Sequence, residues 1–262
     1  MKYDINLGSP IAKGNTAEIY LCKDCIVKVF NDCLPDTESS YEADKQTYAY
    51  SCGLAVPKVF DVTKINGKQA IVMEYIKGKT LGELLLEDRE NAEYYLSLSV
   101  DIQQKLHQII PDNLESMQEK LQHQIERSPL VGKWNKNYLI KKLHALTYEN
   151  RLCHGDFHLF NLIMTDTGVS IIYWVDSTAG DIRADIYRSY LLYSQFSAEL
   201  AEMYLQIYCE KSGLLKTEIL QWAPIIAGAR SAEGVSSGNS KLLLDIIHHY
   251  SPIKDYNWEV RL

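Results

Sequence analysis

Along the chain, the dominant period of apolar and polar positions shifts near Thr80. Through residues 11–30, IAKGNTAEIYLCKDCIVKVF, the two kinds alternate about a break at Lys23-Asp24, which predicts a two-stranded hairpin. After the Asn66-Gly67 turn signal, KQAIVMEYI predicts a further strand. Between them, SSYEADKQTYAYSCGL has helical length and ends at Gly53, a natural stop. From Thr80 the period becomes that of a helix. Leu81, Leu84 and Leu85, then Tyr95, Leu98, Ile102, Leu106 and Ile109, then Met117, Leu121 and Ile125 fall on successive helical faces. NLIM and VSIIYWV, on either side of Asp166-Thr167-Gly168, predict a strand pair inside this helical part, and helices resume over 182–194, 197–211, 216–229 and 241–249. The pattern is that of an α+β chain with a small β-rich part, 1–76, and a larger, mostly helical part, 77–262. The boundary falls at the shift in composition near Ile76 to Lys79.

Composition narrows the class. At 262 residues, 46% hydrophobic and 23% charged, the chain can bury one large core or two modest ones. A net charge of −7 argues against a nucleic-acid partner, which calls for a basic face. Met1 to Pro10 has no apolar core of the secretion-signal kind, and runs such as Leu242 to Leu244 fall far short of a membrane span, so a cytoplasmic protein with no membrane partner is expected. Six cysteines in a chain of this length lack the density of a disulfide scaffold and suit reduced thiols. Cys22 and Cys25 form a C-x-x-C without a second pair, and read as the flanks of a hairpin tip. The sequence leaves the oligomeric state open.

Chemistry concentrates in RLCHGDFHLFNLIM, residues 151–164. Asp156 and Asn161 stand five residues apart on one loop and can face a common point. Asp156 could accept a hydrogen bond from a substrate hydroxyl, and Asn161 could offer its carbonyl to a hard cation such as Mg²⁺. An Asx-rich turn beside a buried histidine would account for the same residues. In the first part, Gly8 and Gly14 precede a strand, and Gly14, Asn15 and Thr16 are small enough for backbone N–H groups to approach phosphates. Lys28 lies in the apolar strand CIVKVF and wants an anion: a phosphate, or the carboxylate of Glu42 on the following helix. A snorkelling lysine is the alternative. His107, His248 and His249 read as ordinary helix residues, and Trp222, Trp258 and the tyrosines as core rather than pocket. Glutamates at 199, 202, 210 and 218 would tolerate a polycationic ligand.

Together these residues resemble the aminoglycoside phosphotransferase family, small-molecule kinases that share the protein-kinase fold. HGD-x-x-x-x-N is matched by His154, Gly155, Asp156 and Asn161; Lys28 stands at the family's strand lysine; Gly180, Asp181 and Asp185 match G-D-x-x-x-D. The resemblance implies a two-lobed, kinase-like fold with ATP bound between the lobes, Mg²⁺ as cofactor, and a small hydroxylated molecule as acceptor. It implies that the backbone of Glu74, Tyr75 and Ile76 meets the adenine, that Lys28 holds the α- and β-phosphates and pairs with Glu42, that Asp156 orients the acceptor hydroxyl and that Asn161 takes Mg²⁺.

One position departs from the family. Ile172 and Trp174 align with a strand-end I-D-W, which puts Tyr173 where the second metal-binding aspartate belongs. A neutral phenol is a poor replacement for a chelating carboxylate. Asp176 could substitute if the strand end is bulged. Alternatively the chain is a catalytically impaired nucleotide-binding module, or Tyr173 is a mutation of a competent enzyme. Asp181 is expected to cap the helix near Ile182, Asp185 to tie that helix to the catalytic loop through His154, and His158 to support the loop.

Overall fold

The alternation through residues 17–30 folds as predicted. In the computed structural model, which describes residues 7–234 and 237–251, β1 (Ala12–Lys13) leads into β2 (Ala17–Cys22) and β3 (Cys25–Phe30). The β2–β3 register runs unbroken from Ala17↔Phe30 to Cys22↔Cys25, with Lys23 in the left-handed region at φ 56°. After α1 (Glu38–Ser51) come β4 (Val59–Ile65) and β5 (Lys68–Glu74), joined at Asn66-Gly67. The five strands form an antiparallel sheet in the order β1-β2-β3-β5-β4.

Strand alternation sorts the sheet's side chains onto two faces. Ala17, Phe30, Ile71 and Met73 pack with Ala43 of α1 on one face; Val27, Val29, Ile65, Ala70 and Val72 form the core of the other. Lys28 alternates with Val27 and Val29, so it lies on the face that α1 covers. That placement decides its partner.

Backbone contacts gather the chain into two units: residues up to Tyr95 with His158–Ser177, and Leu96–Phe157 with residues from Thr178 onward. The first unit holds the sheet and also β6 (Lys79–Thr80), α2 (Leu81–Glu87), β8 (Leu162–Thr165) and β9 (Gly168–Ile171), where β6, β8 and β9 make a small antiparallel sheet. Thr80 caps α2 with a reciprocal bond to Glu83. Gly78 has no room for a side chain: a Cβ there would run into the Met164 carbonyl.

The second unit is largely helical. Helix α3 (Ala92–Leu106) crosses into it, followed by α4 (Met117–Arg127), α5 (Lys133–Ala145), the strand pair β7 (Arg151–Cys153) and β10 (Thr178–Gly180), and then α6 (Ile182–Phe196), α7 (Ala198–Ser212), α8 (Lys216–Leu220), α9 (Ala223–Arg230) and α10 (Ser237–Tyr250). Leu106, Ile125, Tyr204, Tyr208 and Trp222 are among its fully buried side chains. The α+β class expected from the pattern is therefore the class observed.

Four details differ from the pattern. Val59–Ile65 is a strand, whose alternating burial the sequence carries and which the turn signal after it announces. The predicted helix 216–229 is broken at Gln221-Trp222, because Pro224 sits in the first turn of α9 and cannot donate to a preceding turn. Helix α5 was not predicted; it buries only Asn135, Leu139 and Leu143. Strand β9 stops at Ile171 instead of continuing to Val175. Trp258 and the first six residues lie outside the described residues.

Candidate active site

Lys28 and Glu42 meet as a buried pair. Lys28 Nζ lies 2.6 Å from both carboxylate oxygens of Glu42, with 5% and 3% of the two side chains exposed. At that depth an unpaired charge would be costly, so each residue requires the other. The ammonium also lies 5.1 Å from the ring centres of Phe30 and Tyr173. Snorkelling is excluded: Lys28 turns inward, to α1.

Other candidate residues of the first unit lie on His158–Ser177. His158 opens a single 3-10 turn, Leu159–Asn161, its Nδ1 accepting from Phe160 N–H at 3.2 Å while its carbonyl accepts from Asn161 N–H. His158 thus supports the loop. Asn161 is 4% exposed, and its Nδ2 lies 3.2 Å from His158 Nε2. A neutral imidazole accepts at one nitrogen only; with Nδ1 accepting from Phe160 N–H, Nε2 is left to donate, which suits the Asn161 side-chain oxygen as the atom facing it. Phe160 packs on Gly82 of α2, where a Cβ would come within 2.6 Å of the ring.

Asn161 is joined to the segment containing Tyr173 by Ile172 N–H, which donates to its carbonyl at 3.0 Å. The next residue, Tyr173, takes φ 65°, a left-handed conformation that a bulky side chain rarely adopts and that asparagine and aspartate tolerate far better. This ends β9. Trp174 is then fully buried, its indole N–H donating to the Ile171 carbonyl at 3.1 Å. The β8–β9 register runs without a bulge from Leu162↔Ile171 to Thr165↔Gly168. Asp176 is half-buried in the turn closed by Ser177 N–H to the Trp174 carbonyl. Sequence reasoning missed Lys45. Three residues past Glu42 on α1 and 5% exposed, it donates to the Val175 carbonyl at 3.0 Å and to Tyr41 Oη at 2.7 Å. Helix α1 thus supplies both the anion for Lys28 and the cation that holds the loop beyond Tyr173.

In the second unit, Gly155 has φ 81° and its N–H donates to Asp185 Oδ1 at 2.7 Å. Asp185 does tie α6 to the loop that carries Asp156, but through this amide and not through His154. Its other oxygen meets His107 Nε2 at 2.9 Å and Gln103 Nε2 at 3.0 Å, and His107 Nδ1 meets Tyr208 Oη at 2.7 Å. Full burial pushes the Asp185 carboxyl up, but the hydrogen bonds and charge of His107, with bonds from Gln103 and Gly155, outweigh it and leave the group below the ordinary aspartate value. Burial, with Asp185 and Asp181 nearby, raises the Cys153 thiol well above its usual range. His107, Cys153 and Asp185 have ligand atoms within 4.8 Å of one another, yet both ring nitrogens and both carboxylate oxygens are engaged in protein hydrogen bonds. They form a structural network. His107, read from sequence as an ordinary helix residue, is its centre.

His154 is fully buried and its Nδ1 accepts from Asp156 N–H at 3.2 Å; the Asp156 side chain is 30% exposed. Asp181 caps α6 as expected, accepting from Arg183 N–H at 2.8 Å, and also receives the Trp222 indole N–H at 3.2 Å.

The remaining candidates are exposed or at edges. Gly14, Asn15 and Thr16 form an exposed loop between β1 and β2, with the Asn15 and Thr16 carbonyls accepting from Asn31. At the end of β5, Glu74 N–H donates to the Lys58 carbonyl and Tyr75 N–H to that of Asp24; Tyr75 is 37% exposed. Cys22 and Cys25 are free and face each other across the hairpin tip. Glu202 pairs with Lys216, Glu218 caps α8 and Glu210 accepts from Gln206, so these glutamates serve their own surface.

The sequence pattern of the phosphotransferase enzyme family matches residues 8–220. The chain belongs to that family. No curated protein sequence matches it. Its fold is similar to that of a thermostable mutant of aminoglycoside phosphotransferase APH(4)-Ia, with a TM-score of 0.69 at 11% identity over 94% of this chain and 95% of that one. A choline/ethanolamine kinase family protein from Mesorhizobium loti gives 0.65 at 14% identity, over 94% and 90%. An amicoumacin kinase in complex with AMP-PNP and Ca²⁺ gives 0.61 at 18%, over 95% and 90%. This phosphotransferase-family chain therefore has the kinase-like fold, with an antiparallel sheet in its N-terminal part and a helical remainder. Among the described residues, no helix is long and apolar enough to cross a membrane.

Proposed function

We propose that this chain is an ATP-dependent phosphotransferase that moves the γ-phosphate to a hydroxyl of a small molecule. The observation that carries the reading is the buried Lys28–Glu42 pair in a member of the phosphotransferase family, since a lysine held by a helix carboxylate is how kinase-type folds present a cation to the nucleotide's phosphates. Structural relatives bound to AMP-PNP support a nucleotide ligand. In this reading 1–76 is the nucleotide lobe and 77–262 carries the catalytic loop and acceptor site. Gly14, Asn15 and Thr16 offer backbone N–H groups to phosphate, Lys28 pairs with the α- and β-phosphates, and Glu74, Tyr75 and Ile76 meet the base. Asp156 orients the acceptor hydroxyl for in-line attack, so most of the rate comes from positioning and charge.

The donor chemistry bears on Mg²⁺. A hard dication prefers carboxylate and amide oxygens, which Asn161 and Asp176 have, while the Tyr173 phenol does not suit it. Asn161 and Asp176 are the residues that would hold the ion, and when bound it would neutralise phosphate charge. A second reading, a module that binds nucleotide without transferring phosphate, is favoured by one observation: position 173 presents a phenol ring beside Lys28 where the family pattern has an aspartate.

The test is ATP affinity by calorimetry with and without Mg²⁺, together with ADP release over a panel of hydroxylated acceptors. ATP binding lost in Lys28→Ala, with turnover reduced in Asp176→Ala, supports transfer. Binding without turnover supports the second reading. No binding refutes both.

A further inference from the structure

We propose that Arg188 is a positioning residue that fixes the direction of Asp156, a role resting on the reading of Asp156 as the group that orients the acceptor hydroxyl. Arg188 and Asp185 stand three residues apart on α6, so they share a helix face. Between them they grip one residue. Asp185 Oδ1 takes the Gly155 N–H at 2.7 Å, and Arg188 Nε donates to the Gly155 carbonyl at 3.0 Å. Gly155 is in the left-handed region, and its two flanking peptides set where Asp156 begins. One peptide is fixed by an anion and the other by a cation from a single turn of helix.

The guanidinium is itself held. Its Nη2 donates to Glu233 Oε2 at 2.9 Å, the same oxygen receives Arg230 Nη1 at 2.9 Å, and Arg230 Nη2 donates to Gln195 Oε1 at 3.0 Å. Only 10% of the Arg188 side chain is exposed. From that anchored position Nη2 lies 3.9 Å from Asp156 Oδ1. This exceeds a hydrogen bond and lies at the outer edge of ion-pair distance, where the cation still favours the ionised carboxylate without a direct hydrogen bond to it. The arrangement needs an arginine: the planar fork aims Nε at a carbonyl and Nη2 at a carboxylate together, which the single point of a lysine cannot do.

The experiment uses the full chain, with Mg²⁺-ATP hydrolysis to water as the reaction probe and amide hydrogen exchange by NMR as a readout independent of catalysis. In Arg188→Ala, exchange at Gly155 and Asp156 is expected to rise at least about tenfold while amides in the core of α6 keep their protection. The hydrolysis kcat is expected to fall about 10²-fold with KM for ATP changed less than about twofold, as misplacement of one catalytic group does. Arg188→Lys is expected to recover less than methylguanidine added to Arg188→Ala. Unchanged exchange at Gly155 and Asp156, or an unchanged kcat beside loosened amides, overturns the proposal. If the wild-type chain neither hydrolyses ATP nor releases ADP with the hydroxylated acceptors, the phosphotransferase reading fails separately, and the exchange data alone decide whether the clamp exists.

Discussion

Replacing Lys28 by methionine removes a cation that the fold has taken almost fully out of water. Glu42, 3% exposed, would be left without the group that lies 2.6 Å from each of its oxygens. Breaking one side of such a pair costs about 3–5 kcal/mol, because the remaining charge must be protonated or hydrated inside the core. The two ring contacts at 5.1 Å add roughly 0.5–1 kcal/mol each, partly offset by methionine's own packing against Phe30. A loss of about 3–5 kcal/mol from a domain stability of about 5–15 kcal/mol is easily read. The assay is urea denaturation followed by circular dichroism at pH 7, for Lys28→Met, Glu42→Leu and the double variant. The double variant, in which neither charge is stranded, is expected within about 1 kcal/mol of wild type, a strongly non-additive result. A Lys28→Met variant as stable as wild type, or additive single effects, would refute the claim that the pair is closed and buried.

Other consequences follow from the second unit and the loop. The Asp185 carboxyl titrates lower in the folded chain than its unfolded value near 3.9, so it contributes stability that is complete above about pH 4 and is lost as pH falls through the folded value. The stability gap between wild type and Asp185→Asn should therefore stay level from pH 6 to about pH 4 and narrow below it in urea titrations; a gap still constant at lower pH would show that the carboxylate's charge is irrelevant. Gly82→Ala should destabilise the chain by about 1–3 kcal/mol through collision with Phe160, more than the helix gains from alanine, and a raised urea midpoint would contradict the contact. In maleimide labelling followed by peptide mass mapping, exposed Cys33 should react in the native state and buried Cys153 only after unfolding.

How much of this was written in the sequence depends on range. Lys28 in an apolar strand announced its need for an anion, and Glu42 lay on the next helix, so the pair was legible. Asp181 just before an apolar helical run was equally legible as a cap. Asp185 was legible only in part: its tie to the loop was expected, but its partners Gln103 and His107 come from the end of a helix and the turn after it, some 80 residues earlier, and no local pattern ranks a buried histidine above an ordinary one. Arg188 and Lys45 were missed for the same reason, since each bonds a backbone carbonyl, which every residue has. The end of β9 was misjudged because IIYWV reads as strand by composition, whereas Trp174 burial and the left-handed Tyr173 turn the chain two residues after Ile171.

Tyr173 remains the position at which family pattern and structure pull hardest against each other. The most direct measurement compares the wild-type chain with Tyr173→Asp in ATP calorimetry with and without Mg²⁺ and in ADP release with a hydroxyl acceptor panel. Aspartate suits the left-handed backbone and restores a chelating oxygen near Lys28, so both chains should bind ATP, and the variant should turn over roughly 10²–10³-fold faster, the scale of one well-placed electrostatic group. ATP binding by neither chain, or binding that Lys28→Ala leaves intact, would contradict the account.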